Sequence, residues 1–277
     1  MIPANTVVQH YGETDLRDRL RAALEAAGLG TGLLSTAELA PIDQFHTRGI
    51  AATAELAQAA GIRKGLSVLD IGSGLGGPSR YLAATFDCQV TGVDLSPSFV
   101  EAASYLADRA GLADKVIYEC ARAEVLPYRD QSFDVAWTQH VAMNITDRPG
   151  LYREAYRVLR RGGRFAIYDV VAGNGEPLHF PVPWARGPDA SYLVGPAAMR
   201  SLLEDAGFRV VDWADRTEIS VAWFSEQKNV GAQVPASLPP LGLHVAMGPD
   251  FAGMSANLGR NLREGRARIV QAVLERP

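Results

Sequence analysis

Two hydrophobic patterns divide the chain, and the change falls shortly after residue 60. Upstream, Leu16, Leu20, Ala23, Leu24 and Ala27 recur at helical spacing, and Gly28 supplies a stop. A second helix is predicted over Thr53–Ala60, closed by Gly61. Between them, Pro41-Ile42-Asp43-Gln44-Phe45-His46-Thr47-Arg48-Gly49 reads as a polar loop with unusual chemical content. From Leu66 onward, short apolar runs take over at Leu66–Ile71, Gln89–Val93, Val116–Tyr118, Phe133–Thr138 and Arg164–Val171. They alternate little, as expected of strands buried on both faces of a parallel sheet.

The intervening helices carry their own signals. Ser96-Pro97 is an N-cap followed by proline in the first turn. Leu151, Ala155, Val158 and Leu159 form one apolar stripe, in a helix predicted to end at the paired Gly162-Gly163. Met199, Leu202, Leu203 and Ala206 form another, opened by Pro196 and closed by Gly207. This alternation predicts an α/β fold with a doubly wound, mostly parallel sheet of seven strands. The stretch Ala267–Leu274 also has strand character and is expected at the sheet edge.

Two segments break the alternation, one from Ala172 to Gly195 and one covering much of Val230–Phe251. Loops this long in a compact domain are functional or disordered. Phe180, Trp184, Tyr192, His244, Met247 and Phe251 argue against disorder, so both read as lids over a cleft. The expected organisation is an N-terminal helical cap over 1–61 and a core over 62–277, with lid segments at 172–195 and 225–262.

Composition narrows the function. A hydrophobic fraction of 47% and a charged fraction of 21% over 277 residues are those of an ordinary globular protein. A net charge of −4 gives no global field favouring nucleic acid or an anionic membrane. Arg260, Arg263, Arg266 and Arg268 read as a solvated surface. Cys88 and Cys120 fall on expected strands with no metal or redox spacing, so two buried, reduced thiols are expected. The start, Met1–Asn5, does not have the form of a signal peptide, and no apolar stretch is long enough to span a bilayer. A cytoplasmic protein is expected, with no metal site and neither nucleic acid nor membrane as partner.

The strongest chemical signal is Val68-Leu69-Asp70-Ile71-Gly72-Ser73-Gly74-Leu75-Gly76-Gly77-Pro78, a strand running through glycines into a helix. Glycines there let a ligand approach the backbone, with exposed N–H groups expected to face it. Val93-Asp94-Leu95 ends the next strand, and Asp94 follows Gly72 by 22 residues, a separation suited to a carboxylate holding a ribose. Gly72, Gly74 and Gly77 also satisfy the dinucleotide fingerprint, so an NAD-dependent oxidoreductase stays open at this point. Asp70 weighs against it, because a carboxylate beside the turn repels a pyrophosphate and welcomes a cation. Further along come Leu126-Pro127-Tyr128, Ser132-Phe133-Asp134, Trp137-Thr138-Gln139-His140 and Arg157-Val158-Leu159-Arg160-Arg161-Gly162-Gly163.

In that order and spacing, Leu66–Val171 resembles the core of class I S-adenosylmethionine (SAM) dependent methyltransferases. It is most similar to small-molecule members of the sarcosine/dimethylglycine N-methyltransferase and ubiquinone/menaquinone C-methyltransferase types. The resemblance implies SAM as cofactor and S-adenosylhomocysteine as product. Asp70, Gly72, Gly74 and Gly76 would line the methionine part, Asp94 would hold the ribose, Leu95 would lie against the adenine, and Ala123 would offer its backbone to the adenine edge. Where such proteins have Gly-Asp-Ala, this chain has Ala121-Arg122-Ala123, and Arg122 cannot accept a hydrogen bond.

Gln139 and His140 follow the fourth strand, at the sheet edge where ligands bind in such folds. Gln139 is assigned to the cofactor and His140 to catalysis, as a base or as a residue that steers the acceptor. His46 joins it as a second catalytic candidate. Arg48 suits a SAM or substrate carboxylate. Tyr11, Asn144, Trp184, Tyr192 and His244 are the substrate-wall candidates. The reaction expected is in-line methyl transfer to nitrogen by preference, or to oxygen or carbon, of a small metabolite, such as one of secondary metabolism. A non-catalytic SAM-binding partner protein is the remaining alternative.

Overall fold

The computed structural model describes residues 15–231 and 241–277. Three helices open it: α1 (Leu16–Ala26), α2 (Thr36–Asp43) and α3 (Ile50–Ala60). Ser35 caps α2 in a reciprocal box with Glu38, and burial of Leu39 and Ile42 draws Pro41-Ile42-Asp43 into its last turn. The polar loop expected from residue 41 is therefore shorter than the sequence suggests, because a strong cap and two buried residues outweigh the proline. Gly61 closes α3 in the left-handed conformation.

The remainder alternates as expected: β1 (Ser67–Ile71), α4 (Gly77–Phe86), β2 (Gln89–Asp94), α5 (Pro97–Arg109), β3 (Val116–Cys120), β4 (Phe133–Gln139), α6 (Arg148–Val158), β5 (Leu159–Ala172) and α7 (Pro196–Asp205). After these come β6 (Arg209–Asp215), α8 (Thr217–Gly231), α9 (His244–Met247), α10 (Phe251–Arg263) and β7 (Ala267–Glu275). The sheet has seven strands in the order β3-β2-β1-β4-β5-β7-β6. Strands β1 to β5 pair in parallel, and β7 runs antiparallel between β5 and β6, so the sheet is mixed.

Four sequence expectations change here. The C-terminal strand is interior to the sheet, because both β5 and β6 pair with it and its residues 269–274 are buried. Strand β6, absent from the sequence reading, has its alternation broken by an irregularity between Val210 and Asp212. Helix α6 stops at Val158, so Leu159 and the glycine pair belong to the β5 strand, where Gly162 takes φ 73°. Cys88 is buried, but Cys120 is exposed at the end of edge strand β3, and both thiols are free.

Period-two alternation sends neighbouring strand residues to opposite layers. Val68, Val90, Val135, Trp137 and Tyr168 pack beneath α3, α4 and α10, with Ala52, Leu56, Leu82 and Leu258. Leu69, Ile71, Val93, Ala136 and Phe165 pack on the other face against Leu151, Ala155, Met199 and Leu203 of α6 and α7. A third cluster joins Leu20, Leu24, Leu39 and Ile42 to Phe99 and Leu106 of α5. The helices thus change sides between β1 and β4, which opens a crevice at the C-terminal strand ends. No described helix is long and apolar enough to cross a membrane.

One buried ion pair pins α2 to this crevice. Arg80 of α4 is fully buried and donates to Asp43 Oδ2 at 2.7 Å, and also to Tyr118 Oη and the Ala103 carbonyl at 3.3 Å. Removing one member of such a pair strands the other charge in a dry interior. Asp43→Ala is expected to lower unfolding free energy by about 3–5 kcal/mol in urea titrations; a change under about 1 kcal/mol would refute that role.

Candidate functional site

The loops after β1, β2, β3 and β4 meet over the crevice, and the α2–α3 link closes it from above. Asp70, Gly72, Ser73 and Gly74 line it from the first loop, and Asp94, Leu95 and Ser96 from the second. Arg122, Ala123 and Glu124 follow from the third, and Gln139, His140, Val141 and Asn144 from the fourth. Phe45 and His46 face them, and Ala190 and Tyr192 complete the wall.

The N–H groups of the glycine turn, expected to face a ligand, are largely engaged within the protein. Gly72 N and Ser73 N both donate to the Val93 carbonyl, at 2.8 and 2.9 Å, and Gly74 N donates to Asp94 Oδ2 at 2.9 Å. Those donors lock β1 to β2 and are not left for a ligand. A side chain at Gly72 would drive its Cβ to within 2.5 Å of Val141, in a backbone conformation with φ 72°. At Gly76 a Cβ would overlap the Tyr118 ring, so this glycine serves packing behind the turn and does not line the cavity.

Carboxylates dominate the electrostatics. Asp94 also accepts from Ser96 N at 2.9 Å, and each of its oxygens keeps a further lone pair. Asp70, 2% exposed, accepts from Ser79 Oγ at 2.6 Å. Burial raises its pKa to about 7, with the nearby Asp94 charge adding to the rise. Burial raises Asp94 as well. Two desolvated acids on one cavity, over a turn whose N–H groups are already engaged, favour a ligand that is cationic and donates hydroxyls. A pyrophosphate finds the opposite.

At the far end, His140 takes a left-handed backbone (φ 55°), with its N–H on the Tyr168 carbonyl at 2.8 Å and its ring stacked on Tyr168 at 5.6 Å between centroids. The His46 ring lies 6.2 Å from it. Burial depresses both imidazoles, His46 to about 4 and His140 well below its usual value, so both are neutral at pH 7. Gln139 Oε1 accepts from Trp137 Nε1 at 3.0 Å and Thr53 Oγ1 at 3.2 Å, which fixes the amide and leaves Nε2 without a protein partner. Arg148, buried beneath the wall, donates to the carbonyls of Ala142 and Tyr192 at 2.7 and 2.9 Å.

The cavity therefore gathers Asp70, Gly72, Gly74, Asp94, Leu95, Ala123, Gln139, His140, His46, Asn144 and Tyr192 from the sequence-derived set. Others lie elsewhere. Arg48 is engaged by Glu55. Trp184 is buried in the core, its Nε1 on Ser191 Oγ at 2.9 Å, and His244 borders a separate groove with Arg19 and Pro249. Tyr11 lies outside the described residues. Arg122 pairs with Glu124 at 2.9 Å and is half exposed. Sequence reasoning missed Ser73, Asp43 and Phe45 as lining residues; Asp43 finds its partner 37 positions away, so no local signal marks it. Among the described residues, no group of three or more His, Cys, Asp or Glu is placed to hold a metal ion.

The raised Asp70 pKa has a consequence for stability. The folded protein keeps that proton up to about pH 7 while the unfolded chain releases it near pH 4, so this contribution is lost as pH rises through that window. In ligand-free protein, Asp70→Asn is expected to gain stability relative to the parent between pH 5 and pH 8, read from urea midpoints; a constant difference across that range contradicts the assignment.

Comparisons with known proteins agree with this chemistry. Residues 69–167 match the family model described as a methyltransferase domain. Over 132 residues, 48% of this chain and 47% of the relative, the sequence is 41% identical to 27-O-demethylrifamycin SV methyltransferase from Amycolatopsis mediterranei (strain S699). Over 191 residues, 68% of this chain and 37% of the relative, it is 32% identical to phosphoethanolamine N-methyltransferase 1 from Triticum aestivum. The chain thus spans less than half the length of these relatives. Phosphoethanolamine N-methyltransferase 2 from Haemonchus contortus, solved in complex with SAM, shares the fold with a TM-score of 0.72 at 19% identity, over 96% of this chain and 61% of that one. Motif order, sheet topology and family match converge: residues 69–167 form a methyltransferase domain, and the chain is similar to the class I SAM-dependent methyltransferases.

Proposed function

We propose that the protein transfers a methyl group from SAM to a hydroxyl of a small, uncharged molecule. The observation that carries the cofactor half is the pair of carboxylates, buried Asp70 and half-buried Asp94, on a turn whose Gly72, Ser73 and Gly74 N–H groups are internally engaged. Asp94 has lone pairs free for ribose hydroxyls, Asp70 faces the cationic end, Leu95 offers an apolar surface for the adenine, and Ala123 stands at its edge. Gln139 Nε2 and Ser73 Oγ, buried and without protein partners, suit the polar amino-acid end. Bound there, SAM supplies a methyl already activated by its sulfonium charge.

The acceptor half rests on what the far wall offers. Among the described lining residues, Arg122 is tied to Glu124, and the Asp43 that lines the cavity is tied to buried Arg80, so no unpaired cation awaits a phosphate. His46, His140, Asn144, Val141 and Tyr192 make a neutral wall. A neutral amine needs no base during attack, whereas a hydroxyl gains from one, and two neutral imidazoles stand ready. This shifts the preference from nitrogen, expected from the sequence, to oxygen. The chain's task is to hold the hydroxyl behind the methyl carbon and exclude water, an orientation effect of about 7–11 kcal/mol at most.

Calorimetry is expected to find binding of SAM and S-adenosylhomocysteine and none of NADH. Asp94→Asn is expected to weaken SAM about 10–100-fold, as a charged hydrogen bond is worth about 1.5–3 kcal/mol. In a panel of phenols, alcohols, sarcosine and phosphoethanolamine, the neutral hydroxyl compounds are expected to accept methyl at least about tenfold faster. Preferential methylation of phosphoethanolamine or sarcosine would overturn the acceptor reading; NADH binding without SAM binding would overturn both halves.

A further inference from the structure

The two histidines facing the cavity are not equivalent, and the difference lies in what stands behind each ring. Behind His46, Nε2 is 3.0 Å from the Gly49 carbonyl and 3.0 Å from Thr53 Oγ1. A carbonyl only accepts, so Nε2 carries the proton and donates it there. Thr53 can receive from the same N–H because its own hydrogen goes to Gln139 Oε1 at 3.2 Å. Gln139 Oε1 is in turn held by Trp137 Nε1 at 3.0 Å. The neutral ring is thereby fixed with Nδ1 bare. That nitrogen makes no hydrogen bond to the protein and is not among the sealed polar atoms, and His46 lines the cavity.

Behind His140 there is no such acceptor. Its Nε2 is sealed from solvent and has no hydrogen-bond partner. A proton placed there is a buried donor left unmet, which costs about 1–3 kcal/mol. The neutral ring therefore keeps its hydrogen on Nδ1. Taking up a second proton would strand a charged N–H in the interior, with no acceptor to receive it.

We propose that His46 Nδ1 is the proton acceptor of the reaction, with Gly49 and the Thr53–Gln139–Trp137 chain fixing its tautomer, while His140 Nδ1–H orients the acceptor oxygen. This rests on the hydroxyl-transfer reading above. In the step, the acceptor oxygen forms a bond to the methyl carbon as the carbon–sulfur bond breaks, and that electron pair stays on sulfur as a neutral thioether. The hydroxyl proton passes to His46 Nδ1, and the imidazolium that results keeps its Nε2–H on the Gly49 carbonyl. The net positive charge leaves sulfur and ends on His46, which releases it to solvent when the product departs. Thr53 and Gln139 are positioning residues, since they act through the ring.

The test has two arms. Long-range proton–nitrogen correlation spectra of histidine-labelled protein with S-adenosylhomocysteine bound read both tautomers without any acceptor. The expected result is a bare Nδ1 on His46 and a protonated Nδ1 on His140; the reverse pattern overturns the proposal. In the second arm, using the hydroxyl compound turned over fastest in the panel, His46→Gln keeps an N–H donor toward Gly49 but removes the base. It is expected to lower the single-turnover rate about 10²–10⁴-fold with SAM affinity held within threefold. His140→Ala is expected to raise the acceptor KM more than it lowers kcat. An unchanged rate in His46→Gln, or a kcat loss confined to His140→Ala, rejects the assignment. Failure to bind S-adenosylhomocysteine at all removes the methyltransferase reading itself, while the tautomer spectra of the free protein still decide the fate of the histidine argument.

Discussion

Everything at the mouth of the sheet depends on one hydrogen-bonded knot, in which the Asp94 carboxylate and the Val93 carbonyl take up the N–H groups of the glycine turn. The knot sets the spacing between the first two strand ends and fixes Asp94 on the cavity wall. It also reverses the polarity that a glycine-rich strand–helix turn ordinarily has. A turn with free N–H groups attracts anions; this one has engaged those of Gly72, Ser73, Gly74 and Gly76 and presents acids. Asp70, held by Ser79 one turn into the following helix, strengthens that polarity.

The opposite end of the cavity follows a different logic. Its charged groups are satisfied within the protein, and what remains is a pair of neutral rings, His140 stacked on Tyr168, whose buried Oη meets Thr47 and Ser220 behind the wall at 3.2 and 3.3 Å. The acids of one end and the neutral rings of the other thus line one cavity. Arg148 holds the Tyr192 and Ala142 carbonyls together, so the segment after β5 is tied to the cavity wall through its backbone.

What the sequence disclosed was local. The Ser96 cap, the Gly61 and Gly207 stops, the five parallel strands and the acids ending β1 and β2 are written in residues within a few positions of each other. What it withheld was pairing between distant segments. Strand order is settled by partners a hundred residues apart, so β7 could not be placed between β5 and β6, and the β6 irregularity hid that strand altogether. Arg48 looked free for a carboxylate because Glu55 lies across the turn that starts α3. Gly76 belonged to a recognisable motif, yet its reason is the Tyr118 ring arriving from β3. Trp184 was legible as an aromatic in a long loop, but only packing decides that it turns inward.

The central claim is that a cation settles beside Asp70 and forces it to ionise. Proton exchange on SAM binding tests this most directly, by calorimetry at pH 7 in buffers of differing ionisation enthalpy. With the Asp70 pKa raised to about 7 in the free protein, binding is expected to release a fraction of a proton per site, and Asp70→Asn to abolish the release. Proton uptake on binding, or a release unaltered by that substitution, would contradict the account.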